Sequence, residues 1–318
     1  QGAHHVSASA FPATLAVSEA VQVSGVEFLM GYLLALEFSS RTAAAANDGI
    51  HQRGFAPTGA AAAMGCSAAN CRILGGSSEE IVWAQGIAGS MASGLLEFLT
   101  DGSWTKNIHG AWAAHCSVVA AYLAREGFTG PSTIYDGDCG FYATHLEDHS
   151  AQFIPEMFDT LGNVWEVNNI AGKRYPVCHF SQAILDAWFE LRDKYNLEYS
   201  NIAQITCRVP AGAIPTICEP VARRTAPVNG HDAQESLQYV LAAAICHGEI
   251  THSQLGDDAV NDSLILEVAK TIHYEVDEHS KFPKEYDGDL VINLKDGEVL
   301  SCRSACPRLS LHRRRGGL

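Results

Sequence analysis

Small and apolar residues recur at helical spacing throughout the first half of the chain, where alanine, glycine and serine dominate. This pattern predicts five helices, at residues 12–23, 26–41, 58–74, 78–99 and 111–125. Gly75 and Gly76 followed by Ser77, Ser78 and two glutamates predict a helix end and a capped new start. Because small side chains let helices approach closely, we expect a compact helical bundle.

The pattern changes after about Gly130. Residues 183–195 and 233–245 have helical periodicity, whereas residues 202–209 and 290–294 alternate as strands do. Asp296 and Gly297 lie between the last alternating run and Val299, which predicts a β-hairpin. The second half is therefore expected to be α+β, with a small antiparallel sheet.

The predicted fold class is mainly α with α+β. An all-helical core domain is expected over residues 1–170 and a smaller α+β domain over residues 171–305. A basic tail is expected over residues 306–318, which contain three consecutive arginines. A length of 318 residues fits two domains, and a hydrophobic content of 47% is enough to build a core for each.

The formal net charge is −15, from 21 basic and 36 acidic residues. This balance argues against nucleic acid as a partner, because nucleic-acid affinity comes from lysine and arginine neutralising phosphates. A small anion remains possible, since a local cationic pocket can exist in an acidic protein. No apolar run reaches the ~18 residues that would span a membrane, so no membrane partner is expected.

Ten cysteines are spread along the chain, mostly among apolar or small residues, without the paired spacing of a zinc site. We interpret them as free thiols in a reducing compartment, cytoplasmic or mitochondrial. Which of these compartments applies cannot be read from the sequence, and neither can a targeting signal. His145 and His149 are four residues apart, but they lack the H-E-x-x-H order, so no metal site is predicted.

The strongest chemical signal lies in residues 94–115, where a polar turn separates two apolar segments. Lys106 and His109 occur at this turn, just before the second segment. A helix start offers unpaired N–H groups and the positive end of the helix dipole, and Lys106 adds a full charge. The turn is thus either an anion site or a solvated surface loop, and spacing alone does not decide between them.

Two further groups could take part in chemistry. Lys173 and Arg174 lie near the expected domain junction and could hold carboxylates, the arginine in a bidentate fork; a solvated hinge is the alternative. His5 precedes the first predicted helix and could transfer protons, because only histidine titrates near neutrality without perturbation. An exposed N-terminal histidine is the alternative there.

Together these segments resemble the MmgE/PrpD family, which includes 2-methylcitrate dehydratases and cis-aconitate decarboxylases. The order and spacing of the family's motifs hold from about residue 3 to residue 301. The matching residues are His5 with Pro12, residues 53–59 (RGFAPTG), 86–90 (GIAGS), 95–98 (LLEF) and 101–106 (DGSWTK), His109, residues 113–115 (AAH) and 127–130 (GFTG), Lys173 with Tyr175, Pro176 and Cys178, residues 231–234 (HDAQ) and 295–297 (KDG).

The resemblance implies a helical core domain, a smaller α+β lid and a homodimer. It implies cofactor-free lyase chemistry, without a metal, on a small anionic polycarboxylate. Residue by residue, His5, Lys106 and Lys173 match active-site positions of the family. His109, Arg174 and Thr58 complete the candidate site as substrate-binding residues.

The chain departs from the family pattern at several places. Ala56 stands where members often carry a histidine, and Arg174 replaces a common proline. Ala213 and Ile214 occupy the region of a tyrosine found in some decarboxylases. The family's acidic motif upstream of His5 and its continuation beyond Cys306 have no match, so the resemblance implies truncation at both ends.

The leading functional hypothesis is dehydration of a 2-methylcitrate or alkylcitrate-type acid. Decarboxylation of a cis-aconitate-type acid, with a place in secondary metabolism, would use the same cationic pocket. An epimerase or isomerase of a small dicarboxylate needs only an acid–base pair. A non-catalytic, truncated homologue is the remaining alternative, favoured by Ala56 and opposed by the retained His5, Lys106 and Lys173.

Overall fold

A computed structural model describes residues 4–148, 152–282 and 285–305. The chain divides into two compact units, residues 1–170 and 171–318. Helices alone make up the regular structure described in the first unit, and the second combines helices with a four-stranded sheet. The predicted fold class is therefore confirmed. Within the described residues, no helix has the length and apolar character needed to cross a membrane.

The first unit is built around one small-residue helix, α4 (Pro57–Ile73), which packs against four other helices. Almost all of α4 is buried, and Gly65 shows why small residues are needed. A Cβ atom at Gly65 would lie 2.3 Å from the backbone nitrogen of Ser39. The helices of this unit are α1 (Ser7–Ala20), α2 (Gly25–Ala44), α3 (Gly49–Gln52), α4 (Pro57–Ile73), α5 (Ser78–Gly89), α6 (Phe98–Asp101), α7 (Lys106–Arg125) and α8 (Phe141–His145).

A buried ion pair in α2 binds residues 157–166, near the C-terminal end of this unit. Arg41 and Glu37 lie one turn apart and their side chains are buried, with Nε and Oε1 2.6 Å apart. Arg41 also donates to Thr160 and to the carbonyls of Met157 and Val164. Glu37 accepts from the amide of Glu166 at 2.7 Å. Residues 157–166, which carry only short 3₁₀ turns and loops, are thereby held on α2.

The five predicted helices are all present, with three differences at their ends. The first begins at Ser7, so that Pro12 lies inside it rather than at its start. The fourth ends at Gly89, ten residues early, because the following chain turns back and Leu95 pairs with Phe55 in an isolated bridge. The last begins at Lys106 rather than at residue 111.

The second unit packs helices against a mixed sheet in the order β2-β1-β3-β4. The strands are β1 (Ile202–Val209), β2 (Ile272–Val276), β3 (Asp287–Leu294) and β4 (Val299–Ala305). Its helices are α9 (Gln182–Tyr195), α10 (Ile214–Ile217), α11 (Val221–Thr225), α12 (Gly230–Gln234), α13 (Leu237–His247) and α14 (Ser263–Ala269).

The prediction of a purely antiparallel sheet is wrong for one pair of strands. β1 runs antiparallel to β3, with Cys207 opposite Leu290, but parallel to β2, with Ile205 opposite Ile272. The long helical connection between β1 and β2 permits this, since parallel strands need a crossover. The predicted hairpin at Gly297 is confirmed by the amide of Leu294, which donates to the carbonyl of Glu298 at 2.8 Å.

The core of the second unit lies between the sheet and its helices. α9 packs on β3 and β4 and buries Trp188 there. The predicted helix at residues 233–245 is divided in the structure, because α12 ends at Gln234 and α13 begins at Leu237. The predicted basic tail, residues 306–318, lies outside the described residues.

Candidate functional site

The first turns of three helices meet at one end of the first unit. The backbone amide of His5, just before α1, donates a 2.9 Å hydrogen bond to Oγ1 of Thr58 in the first turn of α4. A Cβ atom at Gly59 would lie 3.6 Å from the Cβ of His109 in the first turn of α7. A Cβ atom at Gly110 would lie 3.2 Å from the Cβ of Ala8 in α1. These contacts bring the N-terminal ends of α1, α4 and α7 together.

These three helices begin without a side-chain cap, as several other described helices do. Their N-cap residues, Val6, Ala56 and Thr105, make no side-chain capping bond, and α4 has a proline at its first position. By contrast, Ser24 caps α2 and Ser77 forms a capping box on α5. In a first turn without a side-chain cap, the N–H groups that backbone bonds do not use and the positive end of the helix dipole can meet another partner. The convergence therefore favours an anion.

Lys106 adds a full positive charge to this end of the unit. It is the first residue of α7, is half-buried, and places its Nζ 5.8 Å from the centroid of the Phe98 ring. An ammonium group over an aromatic face is attracted by the ring quadrupole, which holds the long side chain near one position. The ammonium group of Lys106 is therefore positioned so that it could bind a carboxylate.

His109 lies one turn after Lys106 and is 5% exposed. Its ring meets the Phe98 ring edge to face, with centroids 5.8 Å apart. Burial, and to a smaller extent the charge of Lys106, lowers the pKa of His109. Both effects favour the neutral imidazole, which has one nitrogen able to accept a proton.

The loop beside His109 is fixed by backbone pairing. The amide of Ala56 donates to the carbonyl of Gly94 at 2.9 Å, and the amide of Leu96 donates to the carbonyl of Gly54 at 2.9 Å. Gly94 has a φ of +127°, which non-glycine residues rarely adopt. The loop at residues 94–96 thus lies beside the N-terminus of α4, close to Ala56 and His109.

His5 and His4 differ in their surroundings. The side chain of His5 is exposed, although its backbone amide is held by Thr58. The Nε2 atom of His4 is buried and has no hydrogen-bond partner within the residues that the structure describes. Burial lowers the pKa of His4 to about 4. His5 is therefore the histidine of this pair that solvent and a ligand can reach.

The other two predicted site residues belong to the second unit. Lys173 is exposed, and its charge adds to burial in lowering the pKa of His179 to about 4, with burial the larger cause. The Arg174 guanidinium donates to Oδ1 of Asp186 at 2.6 Å, and Tyr175 donates to the same oxygen at 2.9 Å. A carboxylate of the protein thus already engages Arg174.

The histidine at position 145 is part of an aromatic stack. Its ring lies 4.5 Å from the Phe141 ring and 4.6 Å from the Phe55 ring, measured between centroids, and its Nδ1 lies 2.9 Å from the carbonyl oxygen of Phe141. Its proposed neighbour, His149, lies outside the described residues. No group of three or more metal-binding side chains occurs among residues 4–148, 152–282 and 285–305.

The structure therefore brings His5, Thr58, Lys106 and His109 to one end of the first unit and places Lys173 and Arg174 in the second. Sequence reasoning missed Phe98, the ring shared by Lys106 and His109. No periodic signal marks Phe98, because its role depends on the turn that follows Asp101. The break in the predicted helix near Gly94, which has a positive φ, could have been predicted, since a glycine inside a helical pattern can mark such a break.

Comparison with known proteins agrees with this architecture. The model of the MmgE/PrpD N-terminal domain matches residues 1–154, and that of the MmgE/PrpD C-terminal domain matches residues 175–315. The human cis-aconitate decarboxylase is 27% identical over 319 residues, covering 95% of this chain and 63% of that protein. The cis-aconitate decarboxylase-like protein oryM of Aspergillus oryzae is 25% identical over 303 residues, covering 90% and 61%. The chain thus spans about three fifths of the length of these curated relatives.

Proposed function

Because the chain belongs to the MmgE/PrpD family, a family of lyases, we propose that it is a cofactor-free lyase acting on a citrate- or aconitate-type tricarboxylate. The observation that carries this proposal is the meeting of the N-terminal ends of α1, α4 and α7, the last of which begins at Lys106. Such a site suits a ligand with several carboxylates, since each helix end and the ammonium group can take part of the charge.

The proposed roles follow from the charges that the reaction creates. Elimination or decarboxylation next to a carboxylate builds enolate-like negative charge, and Lys106 would stabilise that charge as it develops. Thr58 presents a hydroxyl and the first turn of α4 to the same anion. His5, exposed at the start of α1, would exchange the proton with the leaving group.

Two reactions remain in competition, each with one observation in its favour. The relatives named above are a cis-aconitate decarboxylase and a decarboxylase-like protein, which supports decarboxylation. The family as a whole, which includes dehydratases as well as decarboxylases, supports dehydration. On the relatives' names, we place decarboxylation of a cis-aconitate-type acid first and dehydration of an alkylcitrate second.

Product analysis tests this proposal. The chain is incubated separately with cis-aconitate and with 2-methylcitrate, and the products are followed by proton NMR. A decarboxylase releases carbon dioxide and forms a dicarboxylate, whereas a dehydratase loses water and keeps three carboxylates. Exchange of a substrate proton with solvent deuterium, without loss of carbon dioxide or water, would identify an epimerase or isomerase rather than a lyase. No change in any tricarboxylate would overturn the proposal in favour of a non-catalytic homologue.

A further inference from the structure

The most deeply buried titratable group of the candidate site has no role in the mechanism proposed above. His109 is 5% exposed, and its ring is enclosed by Phe98 on one side and by the loop at Gly94 on another. The amino-terminal turn of α4 lies against its Cβ atom through Gly59. A buried histidine in a polar cluster needs either a hydrogen-bond partner or a ligand to satisfy its nitrogens.

Two glycines create the space that the ring occupies. A Cβ atom at Gly94 would lie 3.2 Å from Cδ2 and 3.3 Å from Cγ of His109, so a side chain there would press on the imidazole. A Cβ atom at Gly59 would come within 2.1 Å of the carbonyl oxygen of Ser93, so only glycine fits. The backbone at Gly94 therefore approaches the imidazole closely, and the backbone at Gly59 approaches the Cβ atom of His109.

The polar atoms of this ring are not used by the fold. Neither nitrogen of His109 makes a hydrogen bond to the part of the chain that the structure describes, although the ring is held by Phe98 and Gly94. Neither nitrogen belongs to the fully buried, unpaired polar atoms of the described residues, so a ligand can reach the ring edge. The arrangement fits a group that receives its partner from a ligand.

The ligand that fits is the one that Lys106 would hold. Lys106 lies one turn before His109, and both side chains contact the Phe98 ring. The charged group acting on His109 is Lys106 on the same helix, and the neighbouring α4 and the loop at Gly94 approach it with Gly59, Ala56 and Gly94, which carry no side-chain charge. A carboxylate bound by Lys106 would therefore lie near the imidazole of His109, on which the charge of Lys106 acts.

We propose that His109 exchanges the proton at the substrate carbon adjacent to the carboxylate held by Lys106, an inference that rests on the lyase function proposed above. In dehydration, the neutral imidazole removes the carbon-bound proton, the C–H electrons form the double bond, and the C–O bond breaks. The leaving hydroxide takes a proton from His5 and departs as water.

In decarboxylation, the same histidine donates a proton to carbon instead of removing one. The C–C bond to the leaving carboxylate breaks, carbon dioxide departs, and the electron pair remains on carbon next to the carboxylate held by Lys106. The protonated imidazole of His109 then gives its proton to that carbon. Binding of a polyanion would supply the charged form, since nearby carboxylates favour imidazolium.

The test compares three variants of the full chain. His109→Gln keeps a polar side chain but cannot take up a proton near neutral pH. His109→Ala opens space for added imidazole. His115→Gln is the matched control, because His115 lies on the same helix with an exposed side chain stacked on Trp112. Each variant is assayed for kcat, for the Kd of citrate by calorimetry, and for secondary structure by circular dichroism.

We expect His109→Gln to lower kcat by about 10²–10⁴-fold while the Kd of citrate changes by less than about threefold. Added imidazole should restore part of the activity of His109→Ala, which a packing role would not explain. His115→Gln should resemble the wild-type chain. An active wild-type chain with an unchanged kcat in His109→Gln would overturn this inference and leave the lyase function intact.

Two other outcomes are decisive. A wild-type chain that converts no tricarboxylate would overturn both proposals, and it would do so in the wild-type arm rather than in the variant arm. If His109→Gln does not fold, His109→Phe, which keeps a planar ring, goes through the same assays. Failure of both to fold would identify His109 as a packing residue and overturn the inference.

Discussion

The backbone amide of His5 donates a 2.9 Å hydrogen bond to the hydroxyl of Thr58, 53 residues further along the chain. This bond joins the segment before α1 to the first turn of α4. It therefore sets the position of an exposed histidine through its backbone, while the imidazole stays available to solvent. Thr58, by this contact, has a positioning role in addition to any contact with substrate.

Replacing Thr58 with valine tests that relationship, because valine keeps the shape and removes the acceptor. We expect Thr58→Val to lower the free energy of unfolding by about 1 kcal/mol and to reduce turnover, since His5 loses its anchor. Thr58→Ser, which retains the hydroxyl, should behave like the wild-type chain. Urea denaturation and kcat/KM measure the two effects. Equal behaviour of the valine and serine variants would show that the bond does not position His5.

Lys106 is the residue on which the proposed anion site depends most. Lys106→Ala should abolish turnover of a citrate-like acid and leave the fold intact, because Lys106 is the first residue of α7 and is only half-buried. Circular dichroism checks the fold, and kcat/KM measures the loss. Lys270→Ala, at an exposed lysine of the second unit, is the control. Unchanged kcat/KM in Lys106→Ala would rule out the assigned role of this residue.

The buried pair of Arg41 and Glu37 predicts a large stability effect. Arg41→Met leaves the Glu37 carboxylate buried without its guanidinium and releases the carbonyls of Met157 and Val164. We expect a loss of about 3–5 kcal/mol in the free energy of unfolding. Arg72→Met, which breaks the exposed pair with Glu27, should cost less than about 1 kcal/mol. Similar urea midpoints for the two variants would contradict the prediction.

Acidification should destabilise the fold through its buried histidines. In the folded chain the pKa of His4 and that of His179 are lowered from 6.5 to about 4, chiefly by burial. Between pH 4 and pH 6.5 the unfolded chain binds more protons than the folded chain does. The free energy of unfolding is therefore unaffected by these histidines above pH 6.5 and falls as the pH drops towards 4. Each histidine should contribute about 2 kcal/mol to the loss between pH 7.5 and pH 5.

Variants separate this effect from the titration of carboxylates. His179→Gln and His4→Gln should each reduce the dependence of the urea midpoint on pH, whereas His115→Gln, at an exposed position, should leave it unchanged. A pH dependence in His179→Gln equal to that of the wild-type chain would show that His179 does not titrate on unfolding. The two histidines lie in different units, so their effects should add.

The sequence was sufficient for the elements whose signal is local. Apolar periodicity placed five of the eight helices described in the first unit and the strands of the hairpin, because both depend on neighbouring residues. Lys106 and His109 were predicted together in a turn before a helix, and the structure places both in the first turn of α7. The family's motifs, spread over almost the whole chain, added the function class that periodicity could not supply.

Tertiary structure alone decided the features that join distant segments. The helix ending at Gly89 was predicted to continue because its residues are helix-compatible, but pairing of Leu95 with Phe55 gives the chain a competing partner. β2 runs parallel to β1 because of a helical crossover, and alternation of side chains carries no information on strand direction. The bond from His5 to Thr58 and the enclosure of His109 by Phe98 and Gly94 likewise exist only after packing, since sequence patterns report which face is buried and not what lies opposite it.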